Sequence, residues 1–252
     1  MRLLISGEGP SDIGTCNNAQ GVCTDAAFSP GPMAIWLKRL WEALLNYDLL
    51  AMPEAVWFIS EKALAQAAKQ AVKQSGGRMQ PLRGKRRQVE TALYYTNAKH
   101  LGLMARQLAA DHADSVMAVL FRDSDGTRSA PSQLWQAKWN SMVDGFAEAA
   151  FDFGVPMLPK PKSEAWLLCA TRQSHNSHEA LEAISGNDKS PNSAKEQLNQ
   201  ALGGHRSAQQ LADWCETNPG DFSQLMSMPS FKAFFDRFHV VATASSGFRR
   251  NQ

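Results

Sequence analysis

The stretch Ala118-Val119-Leu120-Phe121-Arg122-Asp123-Ser124-Asp125-Gly126-Thr127 decides how this chain is read. It opens on an unbroken apolar run rich in β-formers, too short for a helix and stopped by a turn signal. That pattern predicts a buried strand of an α/β sheet. In open α/β sheets the ligand sits just outside the carboxyl ends of the strands, where Asp123 and Asp125 fall. Two carboxylates held together at a strand tip repel each other, and each resists ionisation unless a cation joins them. Hard oxygen donors of this kind suit Mg²⁺ or Mn²⁺, which take one or two protein carboxylates and fill their remaining positions with substrate phosphate oxygens. The plain alternative is a polar Asp-Ser-Asp-Gly turn leaving a strand.

A second carboxylate stands at another predicted strand end. Arg2-Leu3-Leu4-Ile5-Ser6 reads as a first strand and runs into Gly7-Glu8-Gly9-Pro10-Ser11-Asp12. Glycine on both sides of Glu8 lets the backbone turn sharply and bring the carboxylate near a ligand. Pro10-Ser11-Asp12 suits the first turn of a helix, where acidic groups are favoured. A third junction follows Val155-Pro156-Met157-Leu158-Pro159, a short strand whose prolines predict an edge or a strand start. It leads into Lys160-Pro161-Lys162-Ser163-Glu164-Ala165-Trp166-Leu167-Leu168, with Ser163 as a helix N-cap and Glu164 at the first helical position. One such junction is unremarkable as a surface feature; three in one chain point to a shared site.

Between these points the chain alternates. Residues 15–32, with Asn17-Asn18, Gly21 and Pro30-Gly31-Pro32, read as an irregular loop or lid. Met33, Trp36, Leu37, Leu40, Trp41, Leu44 and Leu45 share one face of a predicted helix. Residues 55–59 read as a strand and residues 61–74 as an Ala-rich helix. Arg83, Lys85, Arg86 and Arg87 form the densest positive cluster and precede a helical stretch from about 88 to 112 that adds Tyr94, Tyr95, Lys99 and Arg106. A Gly-interrupted basic loop beside tyrosines is equipment for a phosphate backbone, or a solvated basic turn. Ser132 can cap a helix with a buried face of Trp135, Trp139, Met142, Val143 and Phe146, and Gly154 is the expected end of that helix. From residue 173 onward the pattern is a helical tail. In it Phe231, Phe234, Phe235 and Phe238 form a core-facing stripe, and the residues after Ala242 are expected to fray.

Composition narrows the class. A chain of 252 residues is long enough for a substantial core, and a net charge of +2 means that any anion-binding surface must be local. No apolar run approaches transmembrane length, so no membrane partner is expected. Cys16, Cys23, Cys169 and Cys215 show neither a CxxC pair nor zinc-ligand spacing. With no secretory signal at the start, the expectation is reduced thiols in a cytoplasmic protein.

Together the motifs Leu4-Ile5-Ser6-Gly7-Glu8-Gly9 and Leu120-Phe121-Arg122-Asp123-Ser124-Asp125 resemble the signature of TOPRIM domains. That signature is a glutamate in a hydrophobic-Glu-Gly context followed by a later Asp-x-Asp. Glu8 to Asp12, as Glu-Gly-x-(Ser/Thr)-(Asp/Glu), and Glu164 to Leu168, as Glu-Ala-Trp-Leu-Leu, resemble more closely the OLD-type and small stand-alone TOPRIM nucleases of bacterial phage defence. The chain departs from the pattern at Gly7, where valine or isoleucine is usual, and in the long loop after Asp12.

The resemblance covers roughly Met1 to Cys169, within a core domain expected at 1–172. It implies an α/β fold, a TOPRIM (Rossmann-like) core with a mostly parallel central sheet. Insertions would lie at 15–32 and 61–112, and a helical C-terminal extension at 173–252. It further implies a divalent-metal-dependent nuclease, with two Mg²⁺ or Mn²⁺ ions able to activate water and steady the attacking and leaving oxygens. Asp123 and Asp125 would hold one ion, with Glu8 shared or acting as base. Asp12 and Glu164 would serve the second ion, and Lys160 and Lys162 would neutralise the scissile phosphate. The substrate would be DNA or RNA, with Arg83, Lys85, Arg86, Arg87 and Lys99 tracking its backbone. The chain lacks GxxxxGK[ST], so an ATPase would be a separate subunit. The tail is a dimer surface, a partner dock or a cap on the sheet.

Three other readings share the same residues. Asp123-Ser124-Asp125-Gly126-Thr127 matches the first motif of haloacid-dehalogenase phosphohydrolases, with Asp123 as nucleophile. Against it stand its position far into the chain, Arg128 after the threonine, and Gly220-Asp221 without a distal partner. A calcium loop fails because Leu134 occupies the twelfth position. The non-enzymatic reading is a TOPRIM scaffold that binds nucleic acid or a partner ATPase without cutting.

Overall fold

The computed structural model describes residues 1–46, 48–49, 52–74, 89–124, 132–171, 178–218 and 222–247. The basic residues Arg83, Lys85, Arg86 and Arg87, and the acid Asp125, lie outside the described residues.

Strand β1 (Arg2–Gly7) is followed not by a helix but by a turn. The Asp12 and Ile13 amides donate to the Gly9 carbonyl at 3.1 and 3.3 Å, and Gly9 takes φ +75°, open to it without the Cβ penalty. The expected first helical turn at Pro10-Ser11-Asp12 is therefore corrected: the helix is deferred to α1 (Pro32–Leu45). The loop expected at 15–32 is corrected as well. It contains β2 (Gly14–Cys16), β3 (Val22–Thr24) and β4 (Phe28–Pro30); β2 pairs antiparallel with β4, and Cys16 and Cys23 are joined by a disulfide with Cα atoms 5.8 Å apart. Reduced thiols hold only for Cys169 and Cys215, both buried.

Beyond α1 come β5 (Val56–Ser60), α2 (Glu61–Gln74), α3 (Val89–His112), β6 (Val116–Phe121), α4 (Ser132–Glu148) and β7 (Gly154–Met157). The five-stranded sheet runs β3-β5-β1-β6-β7, with β3 antiparallel to β5 and every other pairing parallel. This is a mixed, mostly parallel α/β sheet, and Pro156 sits on its edge strand as the prolines predicted. The end of α4 differs from expectation. Phe151 N–H returns to the Phe146 carbonyl at 3.1 Å and Ala150 N–H to Ala147 at 2.9 Å, with Ala150 at φ 50°. That is a Schellman closure made by an alanine, so Gly154 is free to open β7 instead of ending the helix.

The two faces of the sheet carry separate apolar layers. One is α3 and α4, with Tyr94, Ala98, Leu101, Met142 and Phe146 against Leu4, Ala118 and Leu120. Trp135 and Trp139 are only half-buried on that side, and Val143, expected in the core, is 40% exposed. The other face holds α1, α5 (Ser163–Thr171) and the C-terminal helices α6 (His178–Glu182), α7 (Ala194–Ala201), α8 (Ala208–Thr217), α9 (Phe222–Leu225) and α10 (Pro229–Gly247). Helix α10 continues past Ala242, where fraying was expected, to Gly247.

Trp166 is one of the points that fasten the tail. Trp166 is fully buried, meets Phe231 edge-on at 5.0 Å and stacks on Phe234 at 5.7 Å. Its indole N–H donates to Ser230 Oγ at 2.8 Å, and Glu182 Oε1 accepts the Ser230 amide at 2.7 Å, capping α10. On the sheet border Arg237 donates to the Gly154 carbonyl at 2.9 Å and to the Asp152 carbonyl at 2.5 Å. Among the described residues no helix is long and apolar enough to cross a membrane.

Two outcomes follow. Trp166→Ala removes this anchor and lowers the unfolding free energy by about 3–5 kcal/mol, read from denaturant titration. Alkylation of the unfolded, unreduced chain labels Cys169 and Cys215 alone, and reduction brings Cys16 and Cys23 into the labelled set, read by intact mass.

Candidate functional site

Strand order decides where a site can form. Because the chain after β1 turns toward β5 and the chain after β6 turns the other way, toward β7, the β1/β6 boundary is the switch point of the sheet. The parallel register pairs Gly7 with Phe121, so Glu8 and the Arg122-Asp123 dipeptide leave the sheet side by side. A Cβ on Gly7 would fall 2.8 Å from the Phe121 carbonyl, which explains glycine where a larger residue was expected.

The two strand ends are tied directly. Glu8 Oε1 accepts the Asp123 amide at 2.7 Å, and Glu8 Oε2 meets Arg122 Nη2 at 2.5 Å. Arg122 reaches with its other arm to Glu61, the first residue of α2 at the end of β5. Its guanidinium lies 5.1 Å from the Tyr94 ring centroid, and the Tyr94 hydroxyl donates to the Asp123 carbonyl at 3.0 Å. Lys138 Nζ, buried, donates to the Ser124 carbonyl at 2.6 Å, so both residues of the turn are held from α3 and α4.

The third junction arrives from β7. Ser163, fully buried at the start of α5, gives its amide to Asp123 Oδ1 at 2.9 Å and its hydroxyl to Asp12 Oδ1, and its hydroxyl lies 3.4 Å from Glu164 Oε2. Ser163 was expected to cap its own helix; instead Asp123 accepts the first helical amide, and the serine hydroxyl is spent on Asp12. Asp12, Asp123 and Glu164 thus gather round one serine. Burial, and after it the charges of Asp12 and Glu164, push the Asp123 carboxyl well above the usual range, outweighing the Ser163 amide. Burial and Asp12 also raise Glu164, against the pull of Lys162. For Arg122 burial works against the charge, but Glu8 and Glu61 outweigh it and keep the guanidinium cationic.

The predicted residues fare unequally. Glu8, Asp12, Asp123 and Glu164 converge. Lys162 lies within electrostatic reach of Glu164 and pairs with Asp188 at 2.9 Å, and Lys160 Nζ is 4.0 Å from Glu182 Oε2. Lys99 pairs with Glu148 at 3.4 Å on the α3–α4 face. Arg122, Glu61, Lys138 and the bridging role of Ser163 were not anticipated. Glu61 carries the same signal as Glu8, an acid directly after an apolar strand, and an arginine interrupting a buried strand end demands acidic partners.

Among the described residues no group of three acidic, histidine or cysteine side chains stands ready to hold a metal ion. The donor set nevertheless fits a hard divalent cation in chemistry and charge. Asp12, Asp123 and Glu164 offer carboxylate oxygens, and a cation would relieve the repulsion that raises Asp123 and Glu164. Glu8 is the acid already engaged, by Arg122 and the Asp123 amide.

The fold and site define an α/β protein with a cluster of carboxylates at the switch point of its sheet. Comparison of the chain with protein-family models, curated proteins and solved structures returned no match.

The raised Asp123 pKa has a definite sign. The folded state holds this proton more tightly than the unfolded chain, so the carboxyl's contribution to stability is full below the ordinary carboxylate range and is lost as pH rises through the raised folded value. Asp123→Asn keeps an oxygen for the Ser163 amide and removes that loss. Its melting temperature exceeds wild type at neutral pH and converges with it in acid; each kcal/mol recovered is worth about 2–4 °C for a chain of this size.

Proposed function

We propose that this chain is a divalent-metal-dependent nuclease of the TOPRIM kind, hydrolysing phosphodiester bonds in nucleic acid. The observation that carries the reading is the gathering of Asp12, Asp123 and Glu164 around Ser163 beside Glu8, at the switch point of a mostly parallel sheet. Asp12, Asp123 and Glu164 would hold the cation, with Glu8 shared and Asp125 following Asp123 by two residues. When bound, Mg²⁺ or Mn²⁺ supplies Lewis acidity for a phosphoryl oxygen and lowers the pKa of water.

The chain's own residues do the rest. Ser163 fixes the spacing of Asp12 and Asp123 with one amide and one hydroxyl. Tyr94 and Lys138 hold the carbonyls of Asp123 and Ser124, which keeps the acid-bearing turn from recoiling under its own repulsion. Lys162, close enough to pull on Glu164, and Lys160, on the same β7–α5 connection, would meet the anionic phosphate. The basic residues at 83–87 would follow the backbone away from the acids. A role in bacterial phage defence with a separate ATPase subunit is part of the same proposal.

One observation favours a second reading, a scaffold that binds nucleic acid or a partner without cutting: the Glu8 carboxylate is already engaged by Arg122 and the Asp123 amide.

The test is cleavage of plasmid, single-stranded DNA and RNA with Mn²⁺ or Mg²⁺, alongside p-nitrophenyl phosphate. The expected result is metal-dependent cleavage of nucleic acid that EDTA stops, and that Asp123→Ala/Asp125→Ala reduces to background without loss of thermal stability. Cleavage surviving the double change refutes the assignment. Hydrolysis of the small ester alone indicates a phosphohydrolase with Asp123 as nucleophile, and binding without cleavage indicates the scaffold.

A further inference from the structure

Among the described residues Arg122 is the cation paired directly with Glu8, yet it is poorly placed to touch a substrate. Its side chain is 8% exposed, against 24% for Glu8 and 36% for Glu61. One guanidinium arm holds Glu8 Oε2 at 2.5 Å and the other holds Glu61. Two carboxylates therefore share one buried positive charge. Removing a partner from a buried ion pair ordinarily costs several kcal/mol, because it strands an uncompensated charge. Here it does not: if Glu8 turns away, Glu61 still neutralises the guanidinium. The Tyr94 ring at 5.1 Å keeps Arg122 seated without Glu8, and the Tyr94 hydroxyl stays on the Asp123 carbonyl. Among the described residues the Glu8 carboxylate would have to leave the Asp123 amide and Arg122, and of these Arg122 is the charged one.

We propose that Arg122 is an internal rival of the divalent cation for Glu8, and that Glu61 is the carboxylate that retains Arg122 when Glu8 is released. The inference rests on the metal-dependent reading of the site. Arg122 is on this account a positioning residue: it parks Glu8 in the metal-free protein and sets how readily that acid is surrendered. Glu61 sets the strength of the parking. A merely structural arginine would make both residues matter in the same direction; a rival and its retainer act in opposite directions.

The experiment is titration with Mn²⁺ alone, without nucleic acid, followed by the electron paramagnetic resonance signal of free Mn²⁺, with circular dichroism melts in parallel. Arg122→Gln frees Glu8 and is expected to tighten Mn²⁺ binding by roughly tenfold, a change of about 1.4 kcal/mol. Glu61→Gln leaves Arg122 wholly to Glu8 and is expected to weaken binding by a similar factor, while Arg122→Lys, which keeps the charge, stays near wild type. Shifts of the same sign in Arg122→Gln and Glu61→Gln, or an unchanged Kd in Glu61→Gln, overturn the proposal. Should Arg122→Gln fail to fold, Glu61→Gln decides alone, since Glu61 is part-exposed at a helix start. A wild-type chain that binds Mn²⁺ with these opposite shifts but cuts nothing upholds the rivalry and removes the nuclease reading. A wild-type chain that binds no Mn²⁺ overturns both.

Discussion

Parallel pairing of β1 with β6, in register from Arg2 opposite Val116 to Gly7 opposite Phe121, is the constraint from which the rest follows. Residues more than a hundred apart in sequence are delivered to one point because two apolar strands must lie side by side and end together. The register is fixed by burial: β6 is buried at all six of its positions and β1 at all but the first, so a slip would drive apolar side chains out of one layer or the other. Glu8 then has no choice of neighbour. Its carboxylate meets the amide and the guanidinium that follow β6, and the acid cluster is built outward from that junction.

What is gathered there is costly. Asp12, Asp123 and Glu164 are crowded where water is scarce, and their mutual repulsion is carried by contacts that do no more than hold them still: the Ser163 amide and hydroxyl, the Tyr94 hydroxyl, the Lys138 ammonium. Natural proteins accept such local instability where activity requires it and offset it elsewhere. The offset here is the second apolar layer, in which α1, α5 and the C-terminal helices bury Trp36, Trp41, Trp166 and the phenylalanines of α10. Helix α5 serves both accounts: Ser163 and Glu164 face the acids, and Trp166, two residues on, anchors the tail.

How much of this was legible depended on whether a feature announces itself locally. The central strands, α1, α2 and the phenylalanine stripe of α10 were readable, because each carries its own period or its own apolar run with punctuation. The acids were readable from their position after such runs. The strands β2, β3 and β4 were not, since three residues hold too little alternation to register, and the Cys16–Cys23 pairing depends on β2 meeting β4 and β3 meeting β5. The end of α4 was misplaced because Ala150 takes a backbone conformation usually signalled by glycine. Trp166 as the partner of Phe231 was beyond reach: periodicity names the buried face of a helix and is silent about what meets it. Arg122 was passed over for being flanked by more conspicuous acids.

The hydrogen bonds from Arg237 to the Gly154 and Asp152 carbonyls bear on how this molecule can associate. A sheet border with spare carbonyls invites another chain to add itself on, and here a guanidinium from α10 occupies acceptors such a newcomer would need. The opposite border is a strand of three residues stapled through Cys23 to its neighbouring hairpin, too short to template much. Growth by strand addition is blunted at both margins. Any association with another chain would have to use surfaces other than the borders of this sheet.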